Sequence, residues 1–188
     1  MSNQIMQNVS MNITHIPSPN FDDRTLPVSL LLLHYTGMQT GEAALKHLTN
    51  AESKVSAHYL VEEDGRIFQL VEESKRAWHG GVGYWRGITD VNSASIGIEV
   101  VNKGHEWGYE EFPQAQMSAV TELCQTILSR HNILPRDVIG HSDIAPMRKE
   151  DPGELFNGKH WQSRVSVYGI NQLMRGQKSH NLPIMVMH

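Results

Sequence analysis

Four residues of the sequence are of types that together could perform metal-ion and acid–base chemistry. His34, Glu99 and His141 each end, or lie within, a short run of apolar residues, which is the pattern of a buried strand. Asp151 follows His141 closely and precedes Pro152, which restricts the backbone of the aspartate to extended conformations. Because ligands gather where strand ends meet loops, we expect these side chains to lie in one site.

Two histidines and one carboxylate form an adequate ligand set for a catalytic zinc ion. With His34, His141 and Asp151 as ligands, a fourth position stays open for water, whose pKa the metal lowers to about 7. Glu99 lies on a different predicted strand and could take the proton of that water and pass it to a leaving amine. Lys149 closely precedes Asp151 and could stabilise the oxyanion of a tetrahedral intermediate.

Each of these residues also has a structural interpretation. A histidine at a strand end is often a hydrogen-bonded structural residue, and His34 and His141 are far apart in the sequence. Glu99 could be the partner in a salt bridge, and Lys149 could be a solvated loop charge. The residue types and their spacing therefore leave the zinc site and the structural alternative open.

The elements that must position these residues are strands interspersed with helices. Apolar runs predict strands at Val28–His34, His58–Val61, Ile67–Val71, Ser95–Val101 and Val138–His141. The turn at 63–66 predicts that the second and third of these strands form a hairpin. Helices are predicted at Glu42–Thr49, from Phe112 along an apolar stripe that includes Cys124, and at Trp161–Arg175. Residues 1–20 and 72–94 are predicted to be irregular, so the fold class is α/β with a mixed sheet.

Length and composition predict one domain and exclude several classes of partner. We expect an irregular lead-in at 1–17, the domain at 18–175 and a tail at 176–188. The formal net charge of −4 argues against binding to nucleic acid, and no apolar run is long enough for membrane insertion. The polar start of the chain has no secretory signal, which predicts a cytoplasmic protein, or a periplasmic one if an export signal has been removed.

Several segments resemble, in the same order, those of a known family. They are Leu33–Thr36, Val55–Val61, Asp64–Ile67, Ala77–Gly81, Asn92 with Ser95–Glu99, Ile139–Pro146 and Arg148–Gly153. The family is that of the zinc N-acetylmuramoyl-L-alanine amidases of the amidase-2 type, which also includes peptidoglycan recognition proteins and a phage lysozyme. The resemblance covers about residues 18 to 165 and implies a mixed central sheet flanked by helices, with zinc in a groove at the edge of the sheet.

The resemblance also implies roles for individual residues. His34, His141 and Asp151 match the zinc ligands, Glu99 the catalytic acid/base, and Lys149 the oxyanion-stabilising lysine. Because recognition proteins and the phage lysozyme typically carry a cysteine as third ligand, the aspartate is similar to the AmpD/AmiD-like bacterial branch and disfavours a phage endolysin. The implied function is hydrolysis of the amide between N-acetylmuramic acid and L-alanine in peptidoglycan or muropeptides, during cell-wall turnover and recycling.

Four further residues in or beside the matching segments are candidates for contact with the substrate: Tyr35, Trp78, His79 and Asn92. An aromatic ring such as that of Trp78 offers a stacking face to a sugar, although Trp78 and His79 could equally pack the loop. The alternative function is a non-catalytic peptidoglycan-binding module. Such modules generally lose a zinc ligand, whereas all three matching ligands and the acid/base are present here.

Overall fold

The computed structural model describes residues 11–156, so the predicted helix at Trp161–Arg175 and the tail at 176–188 lie outside the described residues. A six-stranded sheet forms the centre. In chain order its strands are β1 (Ile13–His15), β3 (Leu30–Tyr35), β4 (Tyr59–Val61), β5 (Ile67–Gln69), β7 (Ser95–Val100) and β8 (Val138–Gly140). The spatial order is β1-β5-β4-β7-β3-β8. Only the β4–β5 hairpin pairs antiparallel, so the predicted mixed sheet is confirmed.

The remaining elements surround this sheet. Strands β2 (Phe21–Asp23) and β6 (Lys75–Ala77) form a separate antiparallel pair. The helices are α1 (Gly41–Leu48), α2 (Val91–Ala94), α3 (Gly104–Trp107), α4 (Gln114–Arg130) and α5 (His141–Ile144), with 3-10 turns at Ala51–Ser53 and Pro135–Asp137. Within residues 11–156, no helix combines the length and the apolar character that a membrane span requires.

One face of the sheet packs on α4 and is mainly apolar. Alternate residues of β7, Ile96 and Ile98, point toward this helix and are fully buried with Leu123 and Ile127. Cys124 lies in the same cluster with none of its surface exposed, as its place on the predicted stripe indicates. None of the predicted metal ligands lies in this cluster.

The opposite face becomes polar toward the carboxyl ends of its strands. On β3, Leu30 and Leu32 are buried under α2 and α5, and His34 continues the same face because side chains alternate along a strand. On β7, the residues that share this face include Gly97 and Glu99. The parallel register places His34 directly beside Glu99. The sheet thus brings together two of the predicted site residues through backbone pairing alone.

Three predictions about the elements are wrong in detail. The lead-in is not irregular throughout, because Ile13–His15 forms β1 and pairs parallel with β5. The segment 72–94 contains β6 and α2 instead of a continuous loop, and His141 begins α5 where the last residue of a strand was predicted. β1, β6 and α2 have three or four residues and no apolar run that could mark them in the sequence. They form here because the neighbouring strands and loops supply their hydrogen bonds.

Candidate active site

Three predicted ligand atoms meet at the carboxyl ends of β3 and β8. Nδ1 of His34 lies 2.9 Å from Nδ1 of His141 and 2.9 Å from Oδ2 of Asp151, and the last two atoms are 3.0 Å apart. All three residues are buried. Their three ligand atoms lie close enough together to hold one metal ion.

Local structure explains how the third ligand reaches the first two. His141 follows β8, whose residue Gly140 pairs with Leu33 of β3. The amide of Ser142 donates to the carbonyl of Asp151 at 2.9 Å, which ties the loop back to α5. A β-carbon on Gly140 would lie 2.7 Å from Cδ of Pro152, so only glycine allows this close approach.

The donor chemistry of the cluster fits a cation. Nε2 of His141 lies 2.9 Å from the carbonyl oxygen of Gly80, which can only accept, so this nitrogen carries the proton. Nδ1 of His141 is then a lone-pair donor that faces both the carboxylate of Asp151 and Nδ1 of His34. The three facing atoms all carry lone pairs, so they repel one another unless a proton or a metal ion lies among them. A set of two nitrogens and one oxygen suits zinc better than magnesium or calcium.

The charge states of the cluster agree with this fit. Burial lowers the pKa of His34 to about 4, so its imidazole is neutral at pH 7. For Asp151, burial alone would raise the pKa, but the hydrogen bonds with His141 and His34 outweigh it and leave the pKa of the carboxyl below its usual range. The neutral form of His34 and the ionised form of Asp151 are the forms in which these side chain types bind metals.

Glu99 has the surroundings of an acid–base group. Its Oε2 is buried and has no hydrogen-bond partner among the described residues. Burial raises the pKa of the Glu99 carboxyl well above its usual range, the charge of Asp151 adds to this, and the charge of Lys149 opposes it. A raised pKa lets a carboxyl group both accept and return a proton near neutral pH. Lys149 itself lines the same groove and is partly exposed.

The groove above the cluster has a volume of about 640 Å³. Its walls include Tyr35 and Trp78, both predicted to contact the substrate, and the exposed Met147. The hydroxyl of Tyr35 lies 3.0 Å from Nδ1 of His105, a groove residue that the sequence offered no reason to single out. Nε1 of Trp78 donates to Asp22 at 2.7 Å, which leaves its ring to form part of the wall.

The other two predicted contact residues occupy supporting positions. His79 lines the groove, but its Nδ1 is 3.1 Å from Nε2 of His34, and burial lowers its pKa well below the usual range. Asn92 is 7% exposed and lies outside the groove lining, where its Oδ1 accepts from the amides of His79 and Gly80. The structure therefore gives Asn92 a role in holding the loop, and its contact with the substrate stays a prediction.

With the geometry in place, comparison with known proteins identifies the class. The family model of N-acetylmuramoyl-L-alanine amidase matches residues 24–154, and the chain belongs to this family. The chain is 40% identical over 141 residues to the N-acetylmuramoyl-L-alanine amidase AmiD of Escherichia coli, across 69% of this chain and 50% of AmiD. It is 34% identical over 170 residues to the 1,6-anhydro-N-acetylmuramyl-L-alanine amidase AmpD of Haemophilus influenzae, across 80% of this chain and 90% of AmpD.

Solved structures agree with this assignment. A complex of AmiD from E. coli with the substrate anhydro-N-acetylmuramic acid-L-Ala-D-gamma-Glu-L-Lys is similar with a TM-score of 0.67 and 38% identity, over 73% of this chain and 57% of that one. AmpDh3 from Pseudomonas aeruginosa, in complex with anhydromuramic pentapeptide, is similar with a TM-score of 0.68 and 33% identity, over 84% of this chain and 69% of that one. The chain thus spans only part of the length of AmiD, and most of the length of AmpD.

Proposed function

We propose that this protein is a zinc-dependent amidase that hydrolyses the bond between the lactyl group of N-acetylmuramic acid and L-alanine. The observation that carries the proposal is the buried, unpartnered carboxylate oxygen of Glu99 beside the ligand atoms of His34, His141 and Asp151. A purely structural cluster would pair that oxygen, because an unsatisfied buried carboxylate costs about 1–3 kcal/mol or more. Membership of the amidase family and the names of the relatives supply the substrate class.

Each of the site residues has a separate role in the proposed reaction. His34, His141 and Asp151 would hold the metal ion, which when bound supplies Lewis acidity and activates water. Glu99 accepts a proton from the attacking water, and its raised pKa allows it to keep that proton until the amide bond breaks. It then donates the proton to the amine of L-alanine. The ammonium of Lys149 lies at the groove and stabilises the negative charge that develops on the carbonyl oxygen.

The groove favours a substrate with both a sugar and a peptide. Its volume of about 640 Å³ is in the range of sites for small molecules, which allows a muropeptide to occupy it. Aromatic and apolar side chains on its walls, Tyr35, Trp78 and Met147, offer faces for a sugar ring. The solved complexes of relatives with anhydro-muropeptides support a soluble muropeptide as one substrate, and a cytoplasmic location stays a prediction.

The test is direct and follows the products by mass. Purified protein is incubated separately with 1,6-anhydro-N-acetylmuramyl tripeptide and with the reduced N-acetylmuramyl tripeptide, and the products are identified by mass spectrometry. We expect release of the intact tripeptide, with loss of activity after chelation and recovery with zinc. About one zinc per chain is expected by elemental analysis, as a site with three protein ligands implies. Full activity in metal-free protein, or cleavage at another bond, would overturn the proposal.

A further inference from the structure

His79 lies directly behind the first ligand histidine. Its Nδ1 is 3.1 Å from Nε2 of His34, the ring nitrogen opposite the one that faces Asp151. The two rings meet edge to face, with centroids 5.2 Å apart and an interplanar angle of 83°. One of the two facing nitrogens must therefore carry a proton and the other must accept it.

The far side of His79 decides the direction of that hydrogen bond. Nε2 of His79 lies 3.4 Å from Oγ of Ser95, and the hydroxyl of Ser95 donates to the carbonyl of Val91 at 2.6 Å. Because the proton of the hydroxyl is used by Val91, the oxygen of Ser95 is an acceptor for His79. His79 then carries its proton on Nε2, its Nδ1 accepts, and Nε2 of His34 donates.

The residues packed around His79 hold its ring beside His34. A β-carbon on Gly97 would lie 2.4 Å from Nδ1 of His79, so the ring needs glycine beneath it. The amides of His79 and Gly80 both donate to Oδ1 of Asn92, at 3.2 and 2.6 Å, which fixes the loop. The carbonyl of Gly80 in turn contacts Nε2 of His141 at 2.9 Å. Two neighbouring loop residues thus contact both ligand histidines.

We infer that His79 is a positioning residue for metal binding, which holds the proton of His34 on Nε2 and so leaves Nδ1 of His34 free to bind the ion. This inference rests on the proposed zinc site. The alternative tautomer of His34, with the proton on Nδ1, would block a ligand position. Side chains that orient a metal-bound histidine in this way typically contribute about 10–100-fold to metal affinity.

The test compares two variants of nearly equal shape. His79→Asn places an amide oxygen close to the position of Nδ1 and keeps the acceptor, whereas His79→Leu fills the same space with no acceptor. Zinc affinity is measured by competition with a chromophoric chelator, and unfolding is measured on the metal-free proteins. We expect His79→Leu to bind zinc about 10–100-fold more weakly than the wild type and His79→Asn to stay within a few-fold of it. Equal affinities of the two variants would overturn the inference.

A measurement on the unaltered protein covers the case in which His79→Leu fails to fold. Nitrogen-15 NMR of the histidine rings in the zinc-loaded protein distinguishes a protonated ring nitrogen from an unprotonated one. We expect the proton of His79 on Nε2 and the proton of His34 on Nε2, and the opposite tautomer of either ring contradicts the inference. If the wild type binds no zinc, the proposed function fails; if it binds zinc and the two variants bind it equally, only the inference about His79 fails.

Discussion

Glu73 and Glu99 are both withdrawn from water, and their carboxylates have opposite surroundings. Both oxygens of Glu73 are paired: Oε1 accepts from Tyr59 and Arg130, and Oε2 from Arg130 and His131. Burial alone would raise the pKa of Glu73, but these hydrogen bonds outweigh it and leave the pKa below its usual range. Glu99 has a buried oxygen with no partner in the described part of the chain, and its pKa is raised.

The difference separates a carboxylate that stabilises the fold from one that is available for chemistry. Hydrogen bonds from charged donors stabilise the ionised form of Glu73, so this residue joins the α4 region to the β4–β5 hairpin. Glu99 lacks such donors and lies beside the ligand cluster, so its carboxylate can exchange a proton at a small cost. Asp151 is a third case, because its partners are themselves the proposed ligands. The following substitutions test this division from the largest expected effect to the smallest.

Asp151→Ala is expected to have the largest effect, because it removes one of the three proposed metal ligands. The loss of zinc affinity should exceed the roughly 100-fold that removal of a supporting residue can cause, and activity should fall with it. Elemental analysis after dialysis and an assay of amide cleavage measure both. A variant that retained zinc tightly would show that Asp151 is not a ligand.

Glu99→Gln is the matched control for that substitution, since it removes a carboxylate from the same site and leaves all three ligands in place. We expect zinc content to be unchanged and kcat to fall by on the order of 10²–10⁴, because the proton acceptor is lost. The midpoint of thermal unfolding should not decrease, because Oε2 of Glu99 makes no hydrogen bond that the amide would lose. Loss of zinc from this variant would show that Glu99 serves as a ligand.

Lys149→Ala tests the charge that faces these carboxylates. If its ammonium stabilises the developing oxyanion, kcat should fall by on the order of 10²–10³ while KM changes little. Lys103→Ala is the control, because Lys103 is a partly exposed cation that pairs with Glu110 outside the groove lining. A large rise in KM with kcat unchanged would make Lys149 a binding residue instead.

Glu73→Gln is expected to spare the chemistry and weaken the fold. The substitution removes hydrogen bonds to charged groups, so the free energy of unfolding should fall by about 1–3 kcal/mol. Activity and zinc content at 25 °C should match the wild type, since Glu73 is not a groove residue. Reduced kcat in a fully folded variant would contradict the division between the two glutamates.

Acid titration gives the smallest effect and supplies the sign of the Glu73 contribution. Because the pKa of Glu73 is lowered in the folded protein, its ionised form contributes stability above the unfolded pKa of about 4.3. That contribution is lost as the pH falls through the folded pKa. The free energy of unfolding of the metal-free wild type, measured with denaturant, should therefore fall more steeply below about pH 4.3 than that of Glu73→Gln. Parallel profiles would show that the Glu73 cluster does not stabilise the charge.

The sequence predicted the frame of the sheet and the residues of the site. Apolar runs located five of the six strands of the central sheet, with boundaries that differ by one or two residues; for example, β3 runs from Leu30 to Tyr35 instead of from Val28 to His34. The resemblance selected His34, His141 and Asp151, which the structure brings together. β1 and α2 were missed because they contain no apolar run, whereas the equally short β4, β5 and β8 lie in runs of buried apolar residues.

The sequence by itself determined which side chains are available: two histidines and a carboxylate as candidate ligands, a glutamate on the neighbouring strand, and a lysine close to the carboxylate in the chain. Only the tertiary structure decided their states, because protonation and hydrogen bonding depend on neighbours that are distant in the chain. Asn92 was predicted to contact the substrate, and the structure adds that its side chain fixes the loop at His79 and Gly80. His79 and Glu99 differ from other histidines and glutamates only in what surrounds them, since burial and the available partners set the pKa and the position of each proton.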